Sequence, residues 1–318
     1  MTPDIRIIDV DADGRWPFQS LESIKKLDLP PRTPVIGPFN SASVNVVAAT
    51  RGSGKTMFMT EIAQSVSSGE KFCDWTCEQQ GKVAFIQLDM PIQAVQKRAM
   101  RREWHTDLHY ITRWHFQRAG MPTPDIGDPE HHNLIVNALS AYRMVIFDTR
   151  RAIQPPGQGA ASNMWHPSYW IASAPVRHAL ADAGVCVVFL DHLNNAGEVK
   201  DTKAIEDDAD AVITLKDSDK GTSDLCFHIE MSKDRDNIGE ECYFEFDGDK
   251  WHQFTDVSMK QAVANYRTNH TVRETAEQFG IGERTVKNWV REVNAARRAD
   301  DQAWEAERIR EATGRLTG

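Results

Sequence analysis

The chain of 318 residues lacks several features that mark specialised classes of protein. No run approaches the ~20 apolar residues of a membrane-spanning helix, and no secretory signal opens the sequence. No repeat of solenoid period is present. We therefore expect a cytoplasmic globular protein without a membrane partner.

Cysteine is scarce, with five residues in the whole chain. An odd number at irregular spacing excludes the framework of a disulfide-rich domain. Cys73 and Cys77 have no second pair at the spacing of a zinc site, so all five thiols are expected to be reduced. The cysteines are Cys73, Cys77, Cys186, Cys226 and Cys242.

Positive charge is also in short supply, because 37 Lys and Arg stand against 46 Asp and Glu and leave a net charge of −9. A globally acidic protein offers no general argument for nucleic-acid binding. The charge is uneven, however. Five basic residues and one acidic residue lie between Arg284 and Arg298, and this local cluster does favour contact with a nucleic acid.

The most informative stretch is 49–56, Ala-Thr-Arg-Gly-Ser-Gly-Lys-Thr, which fits the Walker A phosphate loop with one departure. Ala49 replaces the first glycine, and a small residue is tolerated there if its φ is negative. An apolar strand precedes the loop and an amphipathic helix follows it, which is the setting that the motif needs. The alternative is a chance glycine loop at the start of a helix.

Such a loop binds the phosphates of a nucleotide through its backbone N–H groups and the N-terminus of the helix. Lys55 would reach the β- and γ-phosphates of ATP, and Thr56 would ligate Mg²⁺. The predicted nucleotide-binding residues are Arg51, Gly52, Ser53, Gly54, Lys55, Thr56 and Met57.

Three further apolar segments each end in a polar side chain. Asp148 follows Met-Val-Ile-Phe in the Walker B pattern and would support the metal ion. Asp89 could orient or deprotonate the attacking water, or else it initiates a turn before Met-Pro. His192 could sense the γ-phosphate, or its imidazole is satisfied by a nearby backbone group.

Lys233 and Arg235 end a later β-rich run. Two cations separated by one residue on a strand lie on the same side and could meet one anionic group. They are far along the chain from the phosphate loop of their own subunit, but they could reach the γ-phosphate bound by a neighbouring subunit in a ring. The alternative is a solvated, charged turn.

Strands and helices alternate from Val44 to Lys203, which predicts a parallel sheet covered by helices. Among these elements we expect a strand over 109–114 and a helix over 169–183. Short strands then follow as an antiparallel extension of the sheet, with a hairpin at Asp247-Gly248. The predicted units are an irregular lead-in (1–43), an ATPase domain (44–254), a helix-turn-helix domain (255–298) and a charged tail (299–318).

Residues 271–291 have the pattern of a helix-turn-helix. Ala276 allows the two helices to approach, while Ile281, Val286 and Trp289 face inward. The second helix would enter the major groove of DNA, with its first turns against the base edges. The alternative use of such a unit is a helical hairpin for protein contacts. The predicted DNA-binding residues are Arg284, Thr285, Lys287, Asn288 and Arg291.

The order of these motifs resembles that of RecA-like P-loop ATPases of the RepA and DnaB hexameric helicase group, over roughly residues 30–250. Asp210 is similar to a recurring feature of the RepA-like branch. The resemblance implies an ATP- and Mg²⁺-dependent hydrolase that forms a hexameric ring on DNA, with Lys233 and Arg235 as fingers in trans. Asp89 departs from the family, which usually carries glutamate there.

Two main functions are compatible with these motifs, and a third, a packaging or recombination ATPase, shares most of the same residues. The first is a replicative helicase of plasmid or phage type, which would act with other replication proteins. In that case residues 154–163 and 194–203 would line the ring and contact DNA. The second is a DNA-binding protein that ATP switches, such as a helicase loader or a regulatory ATPase, and the shorter Asp89 side chain favours it slightly.

Overall fold

A computed structural model of the chain describes residues 9–10, 17–18, 20–27, 32–153, 167–194, 197, 199, 202–218, 223, 225–234, 242–279 and 281–314. The strands are β1 (Asp9–Val10), β2 (Pro17–Phe18), β3 (Pro34–Ile36), β4 (Phe39–Asn40), β5 (Ser43–Ala49), β6 (Val83–Gln87), β7 (Leu108–Ile111), β8 (Met144–Asp148), β9 (Cys186–His192), β10 (Ala211–Asp217), β11 (Cys226–Asp234), β12 (Tyr243–Phe246) and β13 (Trp251–Phe254). The helices are α1 (Leu21–Ile24), α2 (Lys55–Ser68), α3 (Ile92–Ala99), α4 (Arg113–Ala119), α5 (Pro129–Leu139), α6 (Pro167–Ala172), α7 (Ala174–Asp182), α8 (Thr202–Asp208), α9 (Asp256–Arg267), α10 (Val272–Phe279) and α11 (Glu283–Gly314), with a 3₁₀ helix at Arg150–Ile153.

One mixed sheet forms the centre of the fold, with strand order β13-β12-β11-β10-β5-β9-β8-β6-β7. The strands from β10 to β7 in this order are parallel, whereas β11, β12 and β13 are antiparallel. This confirms the predicted α/β fold, a RecA-like parallel sheet with antiparallel strands at its C-terminal side. All the parallel strands end at one edge of the sheet, and that edge carries the sequence motifs.

Helices cover both faces of the parallel strands. β5, β6 and β8 are buried along their whole length, as is typical of parallel strands rich in β-branched and small apolar residues. On one face, Phe58 and Ile62 of α2 pack with Val47 of β5. On the other face, α5 and α7 contribute Leu139 and Leu180 to a second core. The strand ends are therefore held by packing on two sides.

Some elements differ from the predicted ones, and local capping or proline effects explain the differences. The strand expected over 109–114 ends at Ile111 because Thr112 caps α4, with its backbone N–H donating to Nδ1 of His115 at 3.1 Å. The helix expected over 169–183 is divided into α6 and α7, and Pro175 lies in the first turn of α7, where its missing N–H costs nothing.

The N-terminal lead-in and the segment before β10 also contain structure that was not expected. β3 and β4 form an antiparallel pair, so residues 1–43 are not irregular throughout. α8 precedes β10, and next to it Asp210 accepts a hydrogen bond from the backbone N–H of Val44 at 2.8 Å. Asp210 thereby ties the start of β5 to that of β10, at the edge opposite the phosphate loop.

The last three helices form a small core of their own. Val263, Ala276 and Val286 are its buried centre, with Ile281 and Trp289 packed against it, as expected for a helix-turn-helix. α11 continues to residue 314, so the tail predicted from residue 299 begins inside a continuous helix. Among the described residues, no helix combines the length and the apolar character that crossing a bilayer requires.

Candidate nucleotide-binding site

The loop between β5 and α2 has the backbone form of a phosphate-binding loop. Gly52 and Gly54 have φ angles of +88° and +82°, where glycine is favoured. A Cβ on Gly54 would also lie 2.9 Å from the Leu225 side chain. Ala49 is the last residue of β5 and has no positive φ, so the departure from the motif costs no backbone strain.

The remaining loop residues meet at the start of α2. Arg51 is exposed, Ser53 is buried, and Thr56 and Met57 are partly buried. The N-cap of α2 is Gly54, which has no side chain to satisfy the free N–H groups of the first turn. Those N–H groups therefore remain available to an anion, as the motif requires.

The side chain of Lys55 lies against the end of β9. It is 4% exposed, its Nζ donates to the backbone carbonyl of Asp191, and Nδ1 of His192 is 3.5 Å away. Burial lowers the pKa of Lys55 to about 8, although nearby carboxylates, Asp148 first, partly oppose this effect. An incoming anion would therefore stabilise a charge that the protein alone solvates poorly.

Thr56 and Asp148 form the candidate metal site. The Thr56 hydroxyl donates to Oδ2 of Asp148 at 2.7 Å, and Asp148 is 3% exposed. Burial raises the pKa of Asp148, against the hydrogen bond from Thr56 and the charge of Lys55. A hydroxyl and a carboxylate in contact are hard oxygen ligands, which fit Mg²⁺ shared with phosphate oxygens.

Asp89 and His192 lie near this pair. Asp89 is exposed and lies two residues beyond the end of β6. Its negative charge partly opposes the lowering of the Lys55 pKa and adds to the raising of the Asp148 pKa. His192 ends β9, and burial followed by the charge of Lys55 lowers its pKa. A neutral imidazole at pH 7 can donate one hydrogen bond to a phosphate oxygen. The roles predicted for both residues stay predictions.

Sequence reasoning missed a buried ion pair beside the site. The Arg150 guanidinium contacts Oδ2 of Asp191 through Nε at 2.8 Å and through a terminal nitrogen at 2.7 Å. Oδ1 of Asp191 accepts the backbone N–H of His192 at 2.8 Å. The pair thus joins the 3₁₀ helix after β8 to the end of β9, where Asp191 also binds Lys55. In the sequence, the only indication of this ion pair was that Arg150 lies close to Asp148 and Asp191 lies next to His192.

Two more residues near Asp148 were missed. Gln87, the last residue of β6, donates from Nε2 to Oδ2 of Asp148 at 2.7 Å. Arg98 of α3 is exposed, and its charge lowers the pKa of Asp148. A glutamine at a strand end and an arginine on a surface helix carry no recognisable motif, so nothing in the sequence singled them out.

Lys233 lies two strands away from β5 and level with its middle residue. It pairs with Val212 of β10, and Val212 pairs with Val46 of β5. Val46 lies three residues, about 10 Å, before the end of β5, where the phosphate loop begins. A bulge at Ser232 puts Lys233 on the face of Val212 rather than that of Met231. Arg235 lies outside the described residues.

The segments predicted to line a ring follow the two strands that the Arg150–Asp191 pair joins. Residues 154–163 lie outside the described residues. In 194–203, the described residues are 194, 197, 199, 202 and 203. The predicted DNA contacts of these segments stay predictions.

The predicted DNA-binding residues lie in the first turns of α11. Arg284, Lys287 and Arg291 are exposed, while Thr285 and Asn288 are half-buried. Because 284, 287, 288 and 291 are spaced three and four apart, they share one face of the helix. Val286 is buried on the inward side. The unit therefore presents a positively charged face, as a DNA-reading helix would.

Comparison with known proteins gave two family matches. A family model described as an AAA domain matches residues 15–198, and one described as a helix-turn-helix domain matches residues 260–300. Among solved structures, the KaiC-like protein PH0186 from Pyrococcus horikoshii OT3 aligns with 13% identity over 68% of this chain and 91% of that chain, with a TM-score of 0.47. No curated protein matches the chain.

Proposed function

Because the chain belongs to the AAA domain family, we propose that it is a ring-forming ATPase that hydrolyses ATP to act on DNA, as a replicative helicase of plasmid or phage type. One observation carries the proposal: Lys55, Thr56 and Asp148 meet at the edge where the parallel strands end, beside a glycine loop of the required backbone form. The charged face of α11 supports DNA as the partner.

In this proposal, the loop N–H groups hold the phosphates, and Lys55 leaves the Asp191 carbonyl to bind them. Thr56 and Asp148 would hold Mg²⁺, which neutralises phosphate charge when it is bound. Asp89 orients the attacking water from the open side of the site, and His192 donates to the γ-phosphate and senses its loss. No metal ligand beyond the one carboxylate and the hydroxyl is needed, because Mg²⁺ keeps several waters.

The position of Lys233 supports a site shared between subunits. It lies two strands from β5 and about 10 Å along the strand direction from its own phosphate loop, so the phosphate that it contacts would belong to a neighbour. A heterologous contact of this kind closes into a ring when it is repeated by rotation, and we propose a hexamer. Arg235 would act beside Lys233 as the second finger.

The Arg150–Asp191 pair supports coupling between the nucleotide and DNA. It joins the two elements from which residues 154–163 and 194–203 emerge, and Asp191 is also the partner of Lys55. A shift of Lys55 toward ATP would change the contacts of Asp191 and hence the placement of both segments. These segments would contact DNA, and other replication proteins would bind the assembled ring.

A DNA-binding protein that ATP switches is the second candidate. The observation that favours it is Asp89, which is exposed and one methylene shorter than the glutamate usual in the resembling family. A strand-displacement assay with tailed duplexes, ATP and Mg²⁺ separates the two. Unwinding that requires ATP supports the helicase, whereas ATP-dependent duplex binding without unwinding supports the switch.

ATP affinity is expected to fall about tenfold between pH 7 and pH 9, because Lys55 in the free protein loses its proton near pH 8 and the phosphates bind the charged form. Below pH 8 most molecules already carry the charge, so affinity should be nearly flat there. Equilibrium titration with a fluorescent ATP analogue measures the profile. Lys55→Arg stays charged throughout and is expected to show no such fall; an unchanged wild-type affinity at pH 9 contradicts the assignment.

Removing either Arg284 or Lys287 is expected to weaken binding to a preferred DNA site by about 1–3 kcal/mol and to relax its sequence preference. Arg291→Ala should instead weaken binding to all sequences alike and reduce the slope of log affinity against log salt by about one. Fluorescence anisotropy at several salt concentrations distinguishes the two effects.

Arg273→Ala is the matched control for these variants, because it removes one exposed positive charge from α10 instead of α11. Its DNA affinity should stay close to that of the wild type. If Arg284→Ala and Lys287→Ala also bind DNA like the wild type, the helix-turn-helix serves protein contacts instead.

A further inference from the structure

The amide of Gln87 is buried beside Asp148, on the strand that neighbours the Walker B strand β8. Gln87 is the last residue of β6, pairs in register with Asp148 and is 2% exposed. Its Nε2 donates to Oδ2 of Asp148 at 2.7 Å, the same oxygen that accepts from Thr56. This donor contact fixes which end of the amide faces the carboxylate.

The other end of the amide makes no hydrogen bond to any residue that the structure describes. Within the described part of the chain, Oε1 of Gln87 is a buried acceptor without a hydrogen bond. A buried carbonyl in this state costs free energy, and native proteins keep such a group mainly where water, an ion or a ligand completes it. An apolar residue would be the cheaper choice for the end of a buried strand.

The surroundings of Oε1 indicate what completes it. Thr56 and Asp148 are the oxygen ligands proposed for Mg²⁺, and Mg²⁺ in such sites keeps several of its waters. Metal-bound waters are strong hydrogen-bond donors and carry no free acceptor toward the protein. A fixed carbonyl oxygen beside the carboxylate suits them, whereas a second carboxylate would add repulsion to Asp148.

We infer that Gln87 is a positioning residue for the metal site: its Nε2 orients Asp148, and its Oε1 accepts a hydrogen bond from a water of the bound Mg²⁺. This inference rests on the proposed nucleotide site. It assigns to a buried amide a contact with metal-bound water, separate from the role proposed for the exposed Asp89 toward the attacking water.

The test compares ATP affinity with Mg²⁺ and with EDTA, by calorimetric titration of the full chain. Gln87→Met keeps the side-chain volume and removes both polar ends, so the gain in affinity from Mg²⁺ should fall about tenfold while affinity in EDTA stays unchanged. Gln87→Glu removes the donor to Asp148 and places a second carboxylate beside it, so its gain in affinity from Mg²⁺ should also fall. Gln96→Met, on the exposed side of α3, is the control and should change neither value.

Two results would overturn the inference. In one, Gln87→Met lowers the melting temperature but leaves the Mg²⁺ response intact, which would show that the Gln87 side chain contributes only to packing. In the other, Gln87→Glu keeps the full wild-type response to Mg²⁺, which leaves no role for the neutral amide. If Gln87→Met does not fold, Gln87→Glu alone decides. Failure of the wild type to bind ATP under either condition would instead reject the nucleotide site itself, together with this role.

Discussion

Lys55→Ala is expected to weaken ATP binding by about 2–5 kcal/mol, or roughly 30- to 5000-fold, and to abolish turnover. Lys55 is buried and positioned at the start of α2, where its charge would face the phosphates in a poorly solvating environment. In the Lys55→Ala variant, only the backbone N–H groups of the loop remain to stabilise the phosphate charges. Titration of a fluorescent ATP analogue measures the loss of affinity, and phosphate release measures the loss of turnover.

Lys82→Ala is the matched control, because Lys82 is an exposed lysine just before β6 and away from the loop. It should bind and hydrolyse ATP like the wild type. Thermal melts of both variants separate loss of the site from loss of the fold. Binding by Lys55→Ala within a factor of about three of the wild type would contradict the assignment of the phosphate loop.

Mixing two inactive variants is expected to restore ATP turnover. Lys233→Ala should bind ATP but not hydrolyse it, because its phosphate loop is intact and only the contribution to the neighbour is lost. In a 1:1 mixture with Lys55→Ala, about one quarter of the interfaces join an intact loop to an intact Lys233, if subunits exchange freely. Turnover should then rise from near zero to about one quarter of the wild-type rate.

A mixture that stays inactive, although light scattering shows mixed assemblies, would contradict a shared site. Lys233→Ala alone with normal turnover would contradict it as well. Arg235→Ala is expected to behave like Lys233→Ala, with nucleotide binding spared and turnover lost. Lys216→Ala is a suitable control, since Lys216 is an exposed lysine on β10 that pairs with Glu230.

Local patterns predicted much of the fold. The strand–loop–helix around Lys55, the strand ending at Asp148 and the inward residues of the helix-turn-helix all follow from short-range periodicity and turn chemistry, so the sequence suffices for them. The antiparallel hairpin at Gly248 is of the same kind, since an Asp-Gly pair between short β-rich runs favours a tight turn.

Predictions failed where a single side chain outweighed the local pattern. His115 satisfies the N–H of Thr112 and starts α4 in a stretch whose apolar residues suggested a longer strand. The deciding interaction was a single side-chain contact, which the local pattern of apolar residues does not reveal.

The sequence by itself determined the phosphate loop, the Walker B aspartate, the class of the sheet and the helix-turn-helix, because each depends on residues close together in the chain. Only the tertiary structure brought Gln87 to Asp148 and Arg150 to Asp191, and only the strand register with its bulge at Ser232 put Lys233 level with the middle of β5 on the face of Val212. Such contacts join residues 41 to 61 positions apart or depend on strand register. These contacts are set by the packing and strand register of the whole sheet, which local sequence preferences do not encode.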